Sequence, residues 1–265
     1  MTQGYLSEEL EMARRVQEGL LAISMPELPA VKIGKRCHPA QSIGGDFYVI
    51  RSNQIQGQSK AVIPGVVQYS DHRQGCVDMV IGDVAGHGVS SALVMALTAG
   101  LMREILRVAK TPALAFAQVN DTLKTYIGNS QIRYVTACLV RYFPESHRLE
   151  WVRAGHPNPL VLRDGEIIEL QADGVFLGMF DKETYEQAEM TLRPGDRVIL
   201  YTDGLTEAVN KAGEEFGEER LRSLLSSSNL ESVETQLDRI YDEVAAFSDH
   251  QPIKDDQTLI VMEVA

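Results

Sequence analysis

Five aspartates in this chain share one local design. Asp83 ends the run Val77 to Asp83 and is followed by two glycines around a histidine in VIGDVAGHGVSS, residues 80–91. Asp46 follows two glycines in SIGGDFYVI, Asp203 ends RVILYTD and precedes Gly204, and Asp255-Asp256 lead into TLIVMEV. Each sits at a strand end or a glycine-flanked turn, where a carboxylate can point into a shared cleft. Any one of them alone reads as a turn-capping aspartate. Several acidic oxygens converging on one point are tolerable only if cations neutralise them, and an all-oxygen set suits Mg²⁺ or Mn²⁺ over zinc. Together the five predict a binuclear metal site.

The Asp83 loop is not a phosphate cradle. Gly82, Gly86 and Gly88 run G-x-x-x-G-x-G, which matches neither the dinucleotide-binding pattern nor a P-loop, and no lysine follows. A carboxylate inside the loop would repel phosphate unless a divalent cation sat between them. His87 is the one titratable donor in this loop and reads either as a general acid or as a solvated turn residue. His156, between Gly155 and Pro157, reads more naturally as part of a structured turn than as an acid or a ligand. Gly86 and Gly204 are expected to allow positive φ or close backbone approach beside the ions. Met95, Leu97, Leu101 and Met102 read as helix core rather than substrate groove.

The elements needed to hold these residues are visible in the pattern. Short β-like runs occur at 45–50, 77–83, 134–143, 148–152, 159–162, 166–170, 197–203 and 258–264, several separated by turn signals such as Asp164-Gly165 and Pro194-Gly195. Neighbouring runs with no helix between them imply antiparallel pairing. Helices are expected from Val89 to Val108, from a Thr111 N-cap with Pro112 at N1, over 218–225 and over 231–247. The predicted fold is α+β, a central antiparallel β-sandwich flanked by helix pairs, with an N-terminal helical extension. That extension runs from Leu6 to Leu21 with Ser7 as N-cap; only Gln17 breaks its apolar seam, and Pro26 and Pro29 end it and lead into an extended stretch. It reads equally as a surface helix and as a short dimerising coiled coil. Residues 51–76, rich in Gln and Ser with weak periodicity, read as an insertion between two strands that is either a functional flap, the preferred reading, or a disordered loop.

Composition excludes several function classes. With 265 residues and 44% hydrophobic residues the chain can bury a substantial core. A formal net charge of -12 argues against nucleic acid, whose binding needs clustered Lys and Arg. Cys37, Cys76 and Cys138 show no CxxC spacing, so neither a disulfide framework nor a thiolate zinc site is expected. No stretch approaches the roughly 20 apolar residues of a membrane span, and no signal segment is evident. The sequence thus reads as a cytoplasmic protein with no membrane association.

Six segments in order, ELEMARRVQEGLL, GGDFY, GDVAGHGVSSALVMA, AGHPNPLVL, LYTDGLTEA and DDQTLIV, resemble the bacterial metal-dependent Ser/Thr phosphatases of the SpoIIE and RsbU type within the PP2C-like superfamily. The resemblance spans nearly the whole chain, with residues 29–265 as the phosphatase domain and 1–28 as a regulatory or dimerising segment. It implies two Mn²⁺ or Mg²⁺ ions held by Asp46, Asp83, Asp203, Asp255 and the main-chain carbonyl of Val84, with Asp256 behind them. Two ions about 3.5–4 Å apart can share a water, lower its pKa and hold it in line with phosphorus. The implied reaction is attack of that bridging hydroxide on phosphoserine or phosphothreonine, typically of a small STAS-domain anti-sigma factor antagonist in a partner-switching pathway. No sensor segment precedes the helix within these residues, so control is expected from a separate protein, or a second copy, docking on residues 1–28. One departure stands out: the family commonly reads GGDFYD, and Val49 replaces the second carboxylate. It motivates one competing reading, a catalytically weak signalling adaptor; another, hydrolysis of a small phosphate ester or nucleotide, keeps the site and changes the substrate.

Overall fold

The computed structural model describes residues 2–22, 29–52, 75–128, 132, 134–228 and 230–265. Two five-stranded antiparallel sheets stack face to face. The first orders β1 (Val31–His38), β10 (Gln257–Val264), β9 (Arg197–Tyr201), β6 (Leu160–Arg163) and β7 (Glu166–Glu169). The second orders β2 (Phe47–Ser52), β3 (Val77–Val84), β4 (Val135–Phe143), β5 (Arg148–Ala154) and β8 (Gln187–Thr191). Helices α2 (Val89–Ile105) and α3 (Pro112–Ile127) cover the second sheet, and α5 (Gly217–Ser227) and α6 (Val233–Phe247) cover the first. The predicted sandwich with flanking helix pairs is the observed architecture.

The central strands are buried on both faces, which explains their unbroken apolar runs. Every residue of β9 is buried, and β3 is buried at all but Asp83. One apolar cluster fills the space between the sheets and under α2 and α3, where Met95 and Met102 are fully buried and Leu97 and Leu101 pack against them. A second joins α5 and α6 to the outer face of the first sheet through Leu225, Leu237 and Ile240. The Thr111 cap is as expected, its hydroxyl accepting from the Leu114 N–H at 3.2 Å with Pro112 at the first helical position.

Several boundaries differ from the expectation. Helix α1 spans Thr2–Leu21, so Ser7 lies within it rather than capping it. The extended stretch after the prolines is, as expected, a strand, the edge strand β1, whereas β8 is an edge strand outside the expected runs. Asp203 opens a one-turn helix, α4 (Asp203–Thr206), instead of ending a strand. Of the expected flap, Arg51 and Ser52 finish β2, while residues 53–74 lie outside the described residues.

Beneath the sheet surface, Arg141 Nε and Nη2 meet Asp78 Oδ1 and Oδ2 at 2.6 and 3.1 Å, with both side chains essentially inaccessible. Removing one partner strands a buried charge, which costs about 3–5 kcal/mol. Arg141→Met is therefore expected to lower the urea midpoint strongly, and adding Asp78→Leu to recover much of the loss. Equal midpoints for wild type and Arg141→Met would contradict this role.

Candidate active site

The pairing registers bring the aspartates to one end of the molecule. Phe47 pairs with Gly82, so Asp46 just before β2 and Asp83 near the end of β3 share one end of their sheet. Tyr201 pairs with Leu259, so Asp203 just after β9 and Asp255-Asp256 just before β10 share one end of the other. The two ends coincide. Thr202, directly after β9, and Thr258, in β10, both donate hydroxyl hydrogen bonds from the first sheet's side to Oδ2 of Asp46, just before β2 of the second, at 2.9 and 2.6 Å.

Asp256 holds the turn that carries Asp46. Its Oδ1 accepts from the Ala40 N–H at 2.8 Å, and its Oδ2 from the N–H groups of Gly45 and Asp46 at 2.6 and 3.2 Å. A Cβ on Gly44 would stand 2.1 Å from this carboxylate, and one on Gly204 would stand 2.1 Å from the Asp256 carbonyl oxygen. Both positions require glycine so that the chain can approach closely. Gly45 lies against the Val84 carbonyl oxygen and Asp83 Oδ1, 3.0 and 3.1 Å from where its Cβ would be. Gly86 has φ +99°, the left-handed conformation that turns the chain after Asp83.

Charge is crowded here. Burial, then the Asp83 charge, raises Asp46 well above the usual carboxylate range, although both threonine hydroxyls favour its ionised form. Burial, followed by the charges of Asp203, Asp255 and Asp256, pushes Asp83 up to about 8. Asp203 and Asp255 are raised chiefly by burial. Carboxylates, a main-chain carbonyl and no thiolate make an all-oxygen donor set of the kind hard divalent cations take. Among the described residues these donors stand as neighbours, and no three His, Cys, Asp or Glu side chains close on a single point.

The mouth is a groove of about 310 Å³ lined by Gln41, Asp83, His87, Lys254, Asp255 and Asp256 among others. His87 is exposed there, close enough to Asp255 for its charge to favour the ionised carboxylate. His156 is elsewhere in the design. It is buried, its Nδ1 lies 3.0 Å from the Thr136 hydroxyl, and that hydroxyl donates to the Asp83 carbonyl oxygen at 3.3 Å. Its Nε2 makes no hydrogen bond among the described residues, and burial lowers its pKa to about 3. This imidazole is neutral and braces Asp83 from behind. Val49 is buried opposite Val80. The sequence does not single out Thr202 and Thr258, and it shows Gln17 only as a break in the apolar seam of α1. Gln17 of α1 donates to the Gly44 carbonyl at 2.7 Å and accepts from the Gly44 N–H at 3.1 Å.

A sequence profile described as Stage II sporulation protein E (SpoIIE) matches residues 73–265, most of the chain. The chain belongs to the SpoIIE family. It is 26% identical over 263 residues to the phosphoserine phosphatase RsbU of Bacillus subtilis, spanning 98% of this chain and 71% of that protein. Other curated relatives are longer, and the chain spans 41% and 45% of two of them. The SiaA-PP2C domain of Pseudomonas aeruginosa superposes with a TM-score of 0.81 at 21% identity, over 100% of this chain and 99% of that one. RsbX in complex with magnesium superposes at 0.62 with 15% identity, over 92% and 100%. These structures establish that the SpoIIE-family chain has the PP2C fold. No helix among its described residues is long and apolar enough to cross a membrane.

Two measurements test the site as built. A carboxyl whose pKa is higher in the fold than in the unfolded chain costs stability as pH rises between those two values, here from the ordinary carboxylate range to about 8. A divalent cation replaces the protons and reverses that cost. Saturating Mg²⁺ is thus expected to raise Tm more at pH 8 than at pH 5, and equal increments would contradict the crowding. Asp256→Ala orphans three N–H donors at about 1–3 kcal/mol each when buried. It is expected to lower both the urea midpoint and the Mg²⁺ affinity, whereas a variant of unchanged affinity would remove Asp256 from the support of Asp46.

Proposed function

We propose that this PP2C-type serine/threonine phosphatase removes phosphate from phosphoserine or phosphothreonine of a STAS-domain protein, an anti-sigma factor antagonist in a partner-switching pathway. The observation that carries the reading is the meeting of Asp46, Asp83, Asp203 and Asp255 at one end of the sandwich in a SpoIIE-family chain. In this reading Asp46, Asp83, the Val84 carbonyl, Asp203 and Asp255 hold two Mn²⁺ or Mg²⁺ ions, and Asp256 keeps the Asp46 turn in place. When bound, the ions supply positive charge to the phosphate oxygens and acidify water for the attack.

The chain's own residues prepare the rest. Thr202 and Thr258 fix Oδ2 of Asp46 and leave Oδ1 as its free donor. Thr136 and His156 brace the backbone of Asp83. His87 stands exposed at the mouth, where it can give a proton to the departing serine oxygen. Residues 1–28, of which Thr2–Leu21 form α1, are the docking place for a regulatory protein or a second copy. RsbU is named a phosphoserine phosphatase and RsbX is named with magnesium, which supports the substrate type and the metal class. The STAS substrate follows from the resemblance of the six segments.

Two other readings keep the fold. An adaptor with weak turnover is motivated by Val49, yet that residue is 1% exposed in β2 and serves the apolar core, while all four principal aspartates are present. A hydrolase of small esters would keep the site and change the substrate, and catalytic efficiency on phosphoprotein against p-nitrophenyl phosphate separates the two. The decisive assay is Mn²⁺-dependent phosphate release from phosphorylated STAS proteins by wild type and Asp83→Asn. The substitution is expected to cost more than the about 10–100-fold that loss of a supporting partner costs. An inactive wild type, or a mutant of equal activity, would sink the proposal.

A further inference from the structure

Beside the acidic mouth lies a second cavity that the metal-binding design does not use. It holds about 210 Å³ between α4, α6 and residues 248–254. Its apolar wall comprises Val209, Val244, Ala245, Pro252 and Ile253, and it reaches Gly204 and Asp255. Lys254 and Asp255 line both this cavity and the groove containing Asp83 and His87, so the two spaces share a rim. The volume falls below the about 300 Å³ at which pockets for drug-sized ligands begin. It suits a single large side chain.

Building on the phosphoprotein reading above, the geometry points to this cavity as a specificity subsite for an apolar side chain flanking the phosphoresidue of the substrate. Consecutive Cα atoms are 3.80 Å apart, so a polypeptide with its phosphate in the groove crosses the Lys254–Asp255 rim within a residue or two. The next side chain it presents then meets an aliphatic wall. Lys254 is the one Lys or Arg lining either space, is exposed, and makes no ion pair among the described residues. At an otherwise acidic mouth it offers positive charge to a phosphorylated chain. Gln251 lines the cavity too, and its Nε2 makes no hydrogen bond among the described residues, so the wall also carries an amide donor for a substrate carbonyl. A small ester has no chain to extend across the rim, so its turnover does not sense the cavity.

The test uses the full chain with Mn²⁺ and phosphoserine peptides in which one leucine is moved through the flanking positions of an alanine background. Leucine is expected to raise kcat/KM about 10-fold or more over alanine at one or two positions, the scale on which an apolar pocket discriminates. Ala245→Phe, which fills the cavity, is expected to erase that preference and leave turnover of p-nitrophenyl phosphate and of the all-alanine peptide unchanged. Ile253→Asp, which puts charge in the wall, provides the same readout should Ala245→Phe fold poorly. Peptides hydrolysed with a flat profile, or a leucine preference that survives both substitutions, overturn the subsite alone. Turnover of p-nitrophenyl phosphate with none of any phosphopeptide overturns the phosphoprotein reading and this inference with it.

Discussion

Mutual repulsion among carboxylates is the constraint around which this fold is arranged. The chain treats two sets of aspartates differently. Structural ones are given guanidinium partners: Asp78 has Arg141, and Asp196 has Arg163 at 2.5 Å. The five at the end of the sandwich are given only neutral donors, namely threonine hydroxyls and backbone N–H groups. Among the described residues none of the five is in an ion pair with Lys, Arg or His. Neutral donors orient a carboxylate without cancelling its charge, so the negative field stays available to a cation.

Such a field can be assembled only if the two sheets hold their relative position. Asp46 leads into a strand of one sheet, and the hydroxyls that fix it come from Thr258 in β10 and Thr202 directly after β9 of the other. Asp256 spans the same gap, binding Ala40, Gly45 and Asp46 across more than 200 residues of sequence. The packed interior between the sheets is therefore what sets the distances at the site. Close-packed cores resist sliding, because a shift of one side chain opens a void elsewhere. The bulky apolar residues of the core thus serve stability and also keep the aspartates in register.

Much of this was legible in the sequence because the signals were local. Repeated glycine-flanked aspartates after apolar runs marked the site, and Thr111-Pro112 marked a helix start that the structure reproduces. The misses have a common physical cause, which is dependence on distant partners. Strand β1, legible only as an extended stretch, carries Lys32, Lys35 and Arg36 because it is an edge, and Arg36 pairs with Glu234 and Asp238 of α6 at 2.9 and 2.7 Å. Strand β8 is an edge as well, and its QAEMT alternates only Ala188 and Met190 with polar residues, too short and weakly apolar a pattern to stand out. Thr202 and Thr258 read as ordinary strand formers, since nothing in their neighbourhood names an aspartate 156 or 212 positions earlier as the acceptor. His156 showed its turn but not the Thr136 link to Asp83.

Gln17 alters the meaning of the N-terminal helix. In the sequence it interrupts an apolar seam, and an interrupted seam describes a weak surface helix. In the structure its amide closes two hydrogen bonds on the backbone of Gly44, one as donor and one as acceptor, two residues before Asp46. A side-chain amide suits that task because it presents both functions in one plane. Gly44 is also the residue whose missing Cβ admits the Asp256 carboxylate. The same short turn is thereby gripped from one side by α1 and from the other by the segment before β10. With Leu21 buried in the main core, α1 is joined to the aspartate-bearing end of the sandwich and is not an appendage to it.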